Sequence, residues 1–171
     1  EISLIDDFLV GPYEIQLAWF ANCSVAVAKP TKRFASFRRG VPLMIAKRSK
    51  SNNCLEIYES ISFPEKWKLS HRLLEGEQIS DPNVFEYKKE LWLNYSSGDE
   101  NNSSQYLYKF DEFDIRKLIP HKLNPVSLDV RISRNAGQVF KYGEDYFRPV
   151  MVNDYYNYGK YIKLYKIKSL S

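Results

Sequence analysis

Three arginines in the last third of the chain have side chains suited to binding an anion or a sugar: Arg131, Arg134 and Arg148. A guanidinium is planar and offers a fork of N–H donors, so it holds a carboxylate, a phosphate or sugar hydroxyls. The same side chains also form buried salt bridges, for which Asp129 and Asp154 are candidate partners. The residue types alone leave a ligand clamp and a structural salt bridge equally open.

A dense group of tyrosines follows Asn153 and Asp154, and its members are Tyr155, Tyr156, Tyr158 and Tyr161. Tyrosine rings stack on apolar surfaces and donate an O–H hydrogen bond, which suits a sugar face. They fill the interior of a sheet equally well. The group is therefore consistent with carbohydrate binding without being specific for it.

Several kinds of site are not predicted. The chain contains no G-x-G and no G-x-S-x-G, so phosphate-binding loops, dinucleotide fingerprints and hydrolase nucleophile elbows are absent. His71 and His121 are the only histidines, they lie far apart, and no cysteine accompanies them, so we expect no metal site and no cofactor. The two cysteines, Cys23 and Cys54, are too few for a disulfide scaffold, and buried free thiols are favoured over one bridge.

Composition narrows the class of protein. The 171 residues fit one domain, 44% of them are hydrophobic, and no apolar run approaches the roughly 18 residues of a membrane span. The net charge is +4, from 25 Lys and Arg against 21 Asp and Glu, which is ordinary for solubility. No nucleic-acid-binding motif is present, so we expect no nucleic-acid partner. The composition does not indicate a cell compartment.

The elements that must position these residues are strands. Tyr, Phe and Trp make up 15% of the chain, and these residues favour pleated, half-buried surfaces. A hairpin pattern at residues 84–93 (VFEYKKELWL) returns at residues 139–148 (VFKYGEDYFR), and each copy precedes another aromatic strand. Weaker versions upstream give four units of roughly 40 residues, a period typical of a β-propeller or a sandwich. Evidence for helix is thin, with at most a single turn expected at residues 111–118.

The same segments resemble a known family. The resemblance rests on nine short segments: FPEKWKL (63–69), DPNVFEY (81–87), LWL (91–93), YLY (106–108), LNPV (123–126), DVR (129–131), AG (136–137), FRP (147–149) and YG (158–159). They are similar to the five-bladed propeller at the N-terminus of glucosamine inositolphosphorylceramide transferases. That domain is similar in design to furanosidase-type glycoside hydrolases of families 43, 32 and 68. The expected fold is all-β, a five-bladed β-propeller of glycosidase type, truncated to about four recognisable blades.

The resemblance implies one propeller-like domain over residues 1–171, weakly matched over 1–53 and well matched over 54–170. In such propellers carboxylates from different blades meet in a central funnel, where glycoside cleavage needs an acid and a base or nucleophile. Asp81 is expected to begin an innermost strand, Asp7 (or its neighbour Asp6) to be its first-blade counterpart, and Asp129 to begin another strand. The expected substrate-binding residues are Arg131, Arg134, Arg148, Asp154 and Tyr158. A structural alternative holds for Asp81, since an Asp before Pro also caps a turn.

Two functions follow from the resemblance. The first is a carbohydrate-associated domain, similar to glycoside hydrolases, that binds or processes a glycan or glycoconjugate in its funnel. The second is a non-catalytic binding or scaffold module attached to or derived from a carbohydrate-active enzyme. Lys47 and Arg48 stand where the family's strand usually ends in an acidic residue, which favours the second. A weaker third reading takes the basic cluster between Lys29 and Lys50 as a surface for an anionic polymer.

Overall fold

The computed structural model describes part of the chain in full and part as backbone strands alone. Strands without side-chain description occupy residues 17–20, 23–28 and 43–48. The fully described residues are 53–62, 66–97, 104–112, 114–153, 157 and 159–170.

The first sheet contains five antiparallel strands in chain order. Its strands are β1 (Leu17–Phe20), β2 (Cys23–Ala28), β3 (Leu43–Arg48), β4 (Cys54–Ser62) and β5 (Lys66–Leu73). The sequence predicts two separate units here, and that prediction is wrong, because β2 pairs directly with β3 through Val25 and Ala46. Cys54 is a buried thiol rather than half of a disulfide, as the sequence favours.

The second sheet contains the first of the two repeated hairpins. Its strands are β6 (Ile79–Tyr87), β7 (Glu90–Ser97), β8 (Gln105–Phe110) and β9 (Leu118–Pro120), again antiparallel and in chain order. The predicted hairpin is confirmed: β6 and β7 meet at a two-residue turn, in which Lys88 and Lys89 have φ of 50° and 69°. Two left-handed residues give the type I′ turn, whose twist matches that of the flanking strands.

The third sheet contains the second hairpin, and this prediction is also confirmed. Its strands are β10 (Phe140–Tyr142), β11 (Asp145–Val152) and β12 (Tyr161–Ile167). Gly143 opens the turn between β10 and β11 with φ of 59°. An isolated antiparallel bridge pairs Asn135, which precedes the hairpin, with Val150 of β11.

The second sheet packs on both of its faces. Val84, Leu93 and Tyr95 belong to one buried cluster, which also contains Leu55 and Ile57 of the first sheet. The alternate residues Phe85, Trp92 and Leu107 form another cluster with Val139, and Ile167 of β12 packs against it. Successive side chains of a strand point to opposite faces, so this alternation makes the second sheet the middle layer between the other two.

The chain is all-β, as predicted, with antiparallel sheets and almost no helix. Among the described residues the strands form three sheets, and no closed ring of a propeller is seen. The single helix in this part of the chain is α1 (Val130–Ser133), which is far too short to cross a membrane. Where a helical turn is expected at residues 111–118, the described part is a loop, in which Asp111 N donates to Lys117 O at 3.0 Å and Lys117 N to Asp114 O at 2.9 Å.

His71 on β5 makes folding sensitive to pH. Burial first, and then repulsion from Arg116, lower the pKa of His71 below 6.5, while Glu59, Asp114 and the Ile115 backbone act in the opposite direction. Below pH 6.5 the unfolded chain therefore binds a proton that the folded chain resists, so stability falls as the pH drops below this value. We expect His71→Phe to flatten the fall in urea midpoint between pH 7 and pH 5. An unchanged slope would contradict this assignment.

The Lys88–Lys89 turn stores backbone strain that glycine would relieve. A residue with a Cβ loses about 1 kcal/mol or more in the left-handed region, part of which glycine's greater unfolded-state entropy offsets. We expect Lys89→Gly to raise the free energy of unfolding by about 0.5–1 kcal/mol in urea denaturation. Lys89→Ala is the matched control, since it removes the same charge but keeps the Cβ. Equal effects of the two substitutions would contradict the backbone explanation.

Candidate functional site

A buried polar cluster joins the second sheet to the third. We call it the polar junction and define it by Asp81, Asn83, Asn94, Arg134, Asn135 and Arg148. The segment after α1 threads between the sheets here, because Met151 N donates to Arg134 O and Ala136 N to Pro149 O, each at 3.1 Å. Asn83 holds the same segment from β6 by donating Nδ2 to Gly137 O at 2.6 Å. The junction is therefore built from side chains of β6, β7 and β11 around one irregular connection.

Asp81 and Arg134 form an ion pair at the start of β6. Arg134 Nε donates to Asp81 Oδ2 at 2.5 Å, and the two side chains are 11% and 19% exposed. Asp81 lies at a break in the β6–β7 register with φ of 49°, which is unusual for a residue with a Cβ. Its carbonyl oxygen accepts a further hydrogen bond from Asn135 Nδ2 at 2.8 Å. The carboxylate is thus fixed in direction and paired with a cation.

Arg148 on β11 is a buried cation surrounded by neutral acceptors. Its Nε donates to Asn135 Oδ1 at 2.8 Å, Nη1 to Ile132 O at 3.0 Å and Nη2 to Ser133 O at 2.9 Å. None of the described carboxylates pairs with it, so the salt bridge to Asp129 envisaged from the sequence is wrong for this arginine. Burial lowers the pKa of Arg148 to about 10, a cost on the order of 3 kcal/mol for keeping the charged side chain in the folded protein.

Arg148 also fixes the orientation of two amides. Arginine only donates, so the Asn135 atom facing it must be the oxygen. Asn135 Nδ2 then faces Asn94 and donates to Asn94 Oδ1 at 2.6 Å. This leaves Asn94 Nδ2 as a donor that has no acceptor within the described part of the chain, although the residue is only 2% exposed.

A cavity of about 240 Å³ opens beside Arg148 and Asn94, between the second and third sheets. Gln105 on β8 and His121, which follows β9, add polar groups to its lining. The side chain of Gln105 is buried, yet it makes no hydrogen bond to any described residue. The apolar part of the wall consists of Phe85, Leu107, Leu123, Val126, Ile167 and Leu170.

His121 contributes a defined tautomer to this cavity. Its Nδ1 accepts a hydrogen bond from Leu123 N at 3.2 Å, so the proton of the neutral ring lies on Nε2. The ring lies 6.3 Å from that of Trp92. Among the described lining residues there is no Asp and no Glu. The cavity therefore presents the N–H donors of Arg148, Asn94 and His121, with the Gln105 amide and the Ser169 hydroxyl, in an apolar setting.

Asp129 and Arg131 lie in a different place from the one predicted. Asp129 does not begin a strand; it is the N-cap of α1 and accepts from Arg131 N at 2.8 Å. Its carboxylate also pairs with the Arg131 side chain at 2.7 Å, and these side chains are 33% and 71% exposed. This pairing lowers the pKa of Asp129. A short polar side chain before a helical turn caps it by this geometry, which explains why the strand prediction failed.

The structure thus brings Asp81, Arg134 and Arg148 into one junction and pairs Asp129 with Arg131 at the surface. Four other candidate residues lie outside the described part of the chain: Asp6, Asp7, Asp154 and Tyr158. Most of the basic cluster between Lys29 and Lys50 lies outside it as well.

Sequence reasoning missed Asn94, Gln105 and Asn135. Asn94 matches a glycosylation pattern, but its burial makes that match a coincidence. The available signal was the position of Asn94 between Leu93 and Tyr95, a polar residue inside an apolar, aromatic run of a strand buried on both faces.

The two arginine–aspartate pairs differ in burial, which predicts different contributions to stability. Removing one partner of a buried pair leaves a charge without compensation, whereas an exposed pair contributes little. We expect Arg134→Met to lower the free energy of unfolding by about 2–4 kcal/mol. The matched Arg131→Met should change it by less than about 0.5 kcal/mol. Urea denaturation of both variants checks this, and equal losses would contradict the structural role of Asp81.

Comparison with known proteins adds independent findings. The family model described as "Glucosamine inositolphosphorylceramide transferase 1, N-terminal" matches residues 35–171. The chain is also similar to glucosamine inositolphosphorylceramide transferase 1 of Arabidopsis thaliana, at 28% identity over 122 residues. That match covers 68% of this chain and 16% of the relative. No solved structure matches. Because the family model spans most of the chain, including the whole polar junction, the chain belongs to the family of glucosamine inositolphosphorylceramide transferase 1 N-terminal domains.

Proposed function

We propose that this chain is a carbohydrate-binding domain that holds a glycan or glycoconjugate without cleaving it. Family membership supports a carbohydrate-related role, since the relative's name joins glucosamine, a sugar, to inositolphosphorylceramide, a phosphate-containing lipid. Both described candidate carboxylates, Asp81 and Asp129, are held in ion pairs with arginine. This observation favours binding over cleavage.

The chemistry of glycoside cleavage explains why this pairing matters. One carboxylic acid must carry a proton and deliver it to the leaving oxygen, which requires a raised pKa. Arg131 instead lowers the pKa of Asp129 and keeps it ionised. Arg134 holds Asp81 Oδ2 at 2.5 Å, so the lone pairs on that oxygen are engaged with a cation. Neither carboxyl group has the surroundings of a general acid.

We propose further that the three sheets are consecutive blades of a propeller. Each sheet is a meander in chain order, and the middle one packs on both faces, as a blade does against its neighbours. In that arrangement β6 is an innermost strand and Asp81 and Arg134 lie at the funnel. Asp7, Asp154 and Tyr158 remain proposed contributors to the same glycan site, with Arg131 and Asp129 at its outer edge.

Glycoside hydrolysis is a second candidate, and the backbone at Asp81 favours it. Non-glycine residues with positive φ cluster at active sites, where the surrounding structure holds them against strain. Asp81 has φ of 49° at a register break, in the D-P sequence that resembles the hydrolase motif. Under this reading Asp81 acts as the base or nucleophile, and Arg134 orients its carboxylate.

A combined binding and turnover assay distinguishes the two functions. The chain is screened against immobilised glycans and glycolipid headgroups, and separately against a panel of aryl furanosides and pyranosides. We expect selective retention of at least one glycan class and no turnover of any aryl glycoside. Asp81→Asn is tested beside Asp145→Asn, which removes an exposed carboxylate paired with Lys166. Turnover that is lost in Asp81→Asn and kept in Asp145→Asn would establish hydrolysis instead.

A further inference from the structure

The cavity between the second and third sheets has an unusual balance of donors and acceptors. A guanidinium has five N–H donors. Arg148 uses three of them, on Asn135, Ile132 and Ser133, which leaves one N–H on each terminal nitrogen. Asn94 Nδ2 is a further donor without an acceptor in the described residues, at 2% exposure. Buried donors normally find partners, so a group in the cavity is the natural acceptor.

The orientation of these donors follows from the hydrogen bonds themselves. Because Arg148 is obliged to donate, Asn135 turns its oxygen to Arg148 and its nitrogen to Asn94, and Asn94 turns its own nitrogen away. The adjacent Gln105 side chain makes no hydrogen bond to the described protein and is free to present its NH₂ group. His121 holds its remaining proton on Nε2. Each of these side chains is able to offer an N–H group to the cavity, whose lining also includes the hydroxyl of Ser169.

From this juxtaposition we propose that the cavity binds the anionic group of a sugar, a carboxylate or a phosphate, with Arg148, Asn94 and Gln105 as its ligands. An anion supplies only acceptors and balances the buried charge of Arg148, which a neutral sugar hydroxyl does not. The volume of about 240 Å³ lies just below the range of drug-sized sites, which suits a single small ring or its charged substituent. Phe85 and Leu107 provide an apolar wall for the ring.

This inference rests on the proposed carbohydrate-binding function and makes it more specific. It assigns the charged part of the ligand to a cavity between two sheets, separate from the pair formed by Asp81 and Arg134. Carboxylate and phosphate share the required chemistry, so both are tested.

Gln105→Glu is the variant that tests the site most directly. Its carboxylate would take the place of the ligand anion beside Arg148, and no hydrogen bond to the described protein is lost. Gln78→Glu is the matched control, because it makes the same change at an exposed position. Thermal unfolding of both variants shows that they fold, and Gln105→Glu should be at least as stable as the parent chain.

Binding is measured by calorimetry with glucose 1-phosphate, glucuronate, glucose and inorganic phosphate. We expect at least one of the two anionic sugars to bind the parent chain and the Gln78→Glu variant at least about tenfold more tightly than glucose. Gln105→Glu should lose that binding at least about tenfold. Arg148→Lys, which keeps the charge but not the fork, should weaken it as well.

The outcomes separate this inference from the proposed function. Glucose binding as tightly as both anionic sugars would overturn the anion site and leave carbohydrate binding intact. Inorganic phosphate binding as tightly as glucose 1-phosphate would support an anion site and count against sugar recognition there. Binding by neither anionic sugar, or equal binding by Gln105→Glu, would overturn the proposal.

Discussion

The buried charge of Arg148 is the constraint on which the polar junction depends. A guanidinium removed from water must place its donors on acceptors, and no described carboxylate is available to it. Two backbone carbonyls of the α1 segment and the Asn135 side chain supply those acceptors. The irregular path of the chain from Ile132 to Asn135 is therefore set by one side chain of β11. Through Asn135 the same constraint reaches Asp81 on β6 and Asn94 on β7.

Burial of the second sheet on both faces gives this network its rigidity. The Val84, Leu93 and Tyr95 face packs towards the first sheet, and the Phe85, Trp92 and Leu107 face packs towards the third. A polar side chain in the buried part of either face is largely withdrawn from water, so it must pair inside the protein or with a ligand. The Asp81–Arg134 ion pair and the hydrogen bonds from Asn135 to Asp81 and Asn94 satisfy several of these groups. Arg148, Asn94 and Gln105, which keep unused donors, line the cavity.

Sequence patterns predicted the features of the fold that short-range interactions determine. The hairpins at residues 84–93 and 139–148 follow from alternation around two-residue turns, and both form. The joining of two upstream units into one sheet depends on the pairing of β2 with β3 across fourteen intervening residues, from 29 to 42, which no short pattern reports. At Asp129 a local interaction was overlooked. A strand was expected there, but the Asp129 side chain accepts a hydrogen bond from Arg131 N and caps a short helix. Inward-facing Asn94 and Gln105 were missed because alternation does not say which face of a strand meets water.

Hydrogen-bond and charge pairing distinguishes the residues that stabilise the fold from those that have unused donors for a ligand. Arg134 and Asp81 neutralise one another, so their pairing favours folding irrespective of any ligand. Arg148 and Asn94 leave donors unused, and such groups lower the stability of the empty protein. Side chains that are poor choices for folding alone are typical of functional sites. A ligand in the cavity would accept hydrogen bonds from the same groups that lower the free energy of unfolding of the empty protein. Its binding would therefore strengthen the attachment of the third sheet to the second, because Arg148 belongs to one sheet and Asn94 to the other.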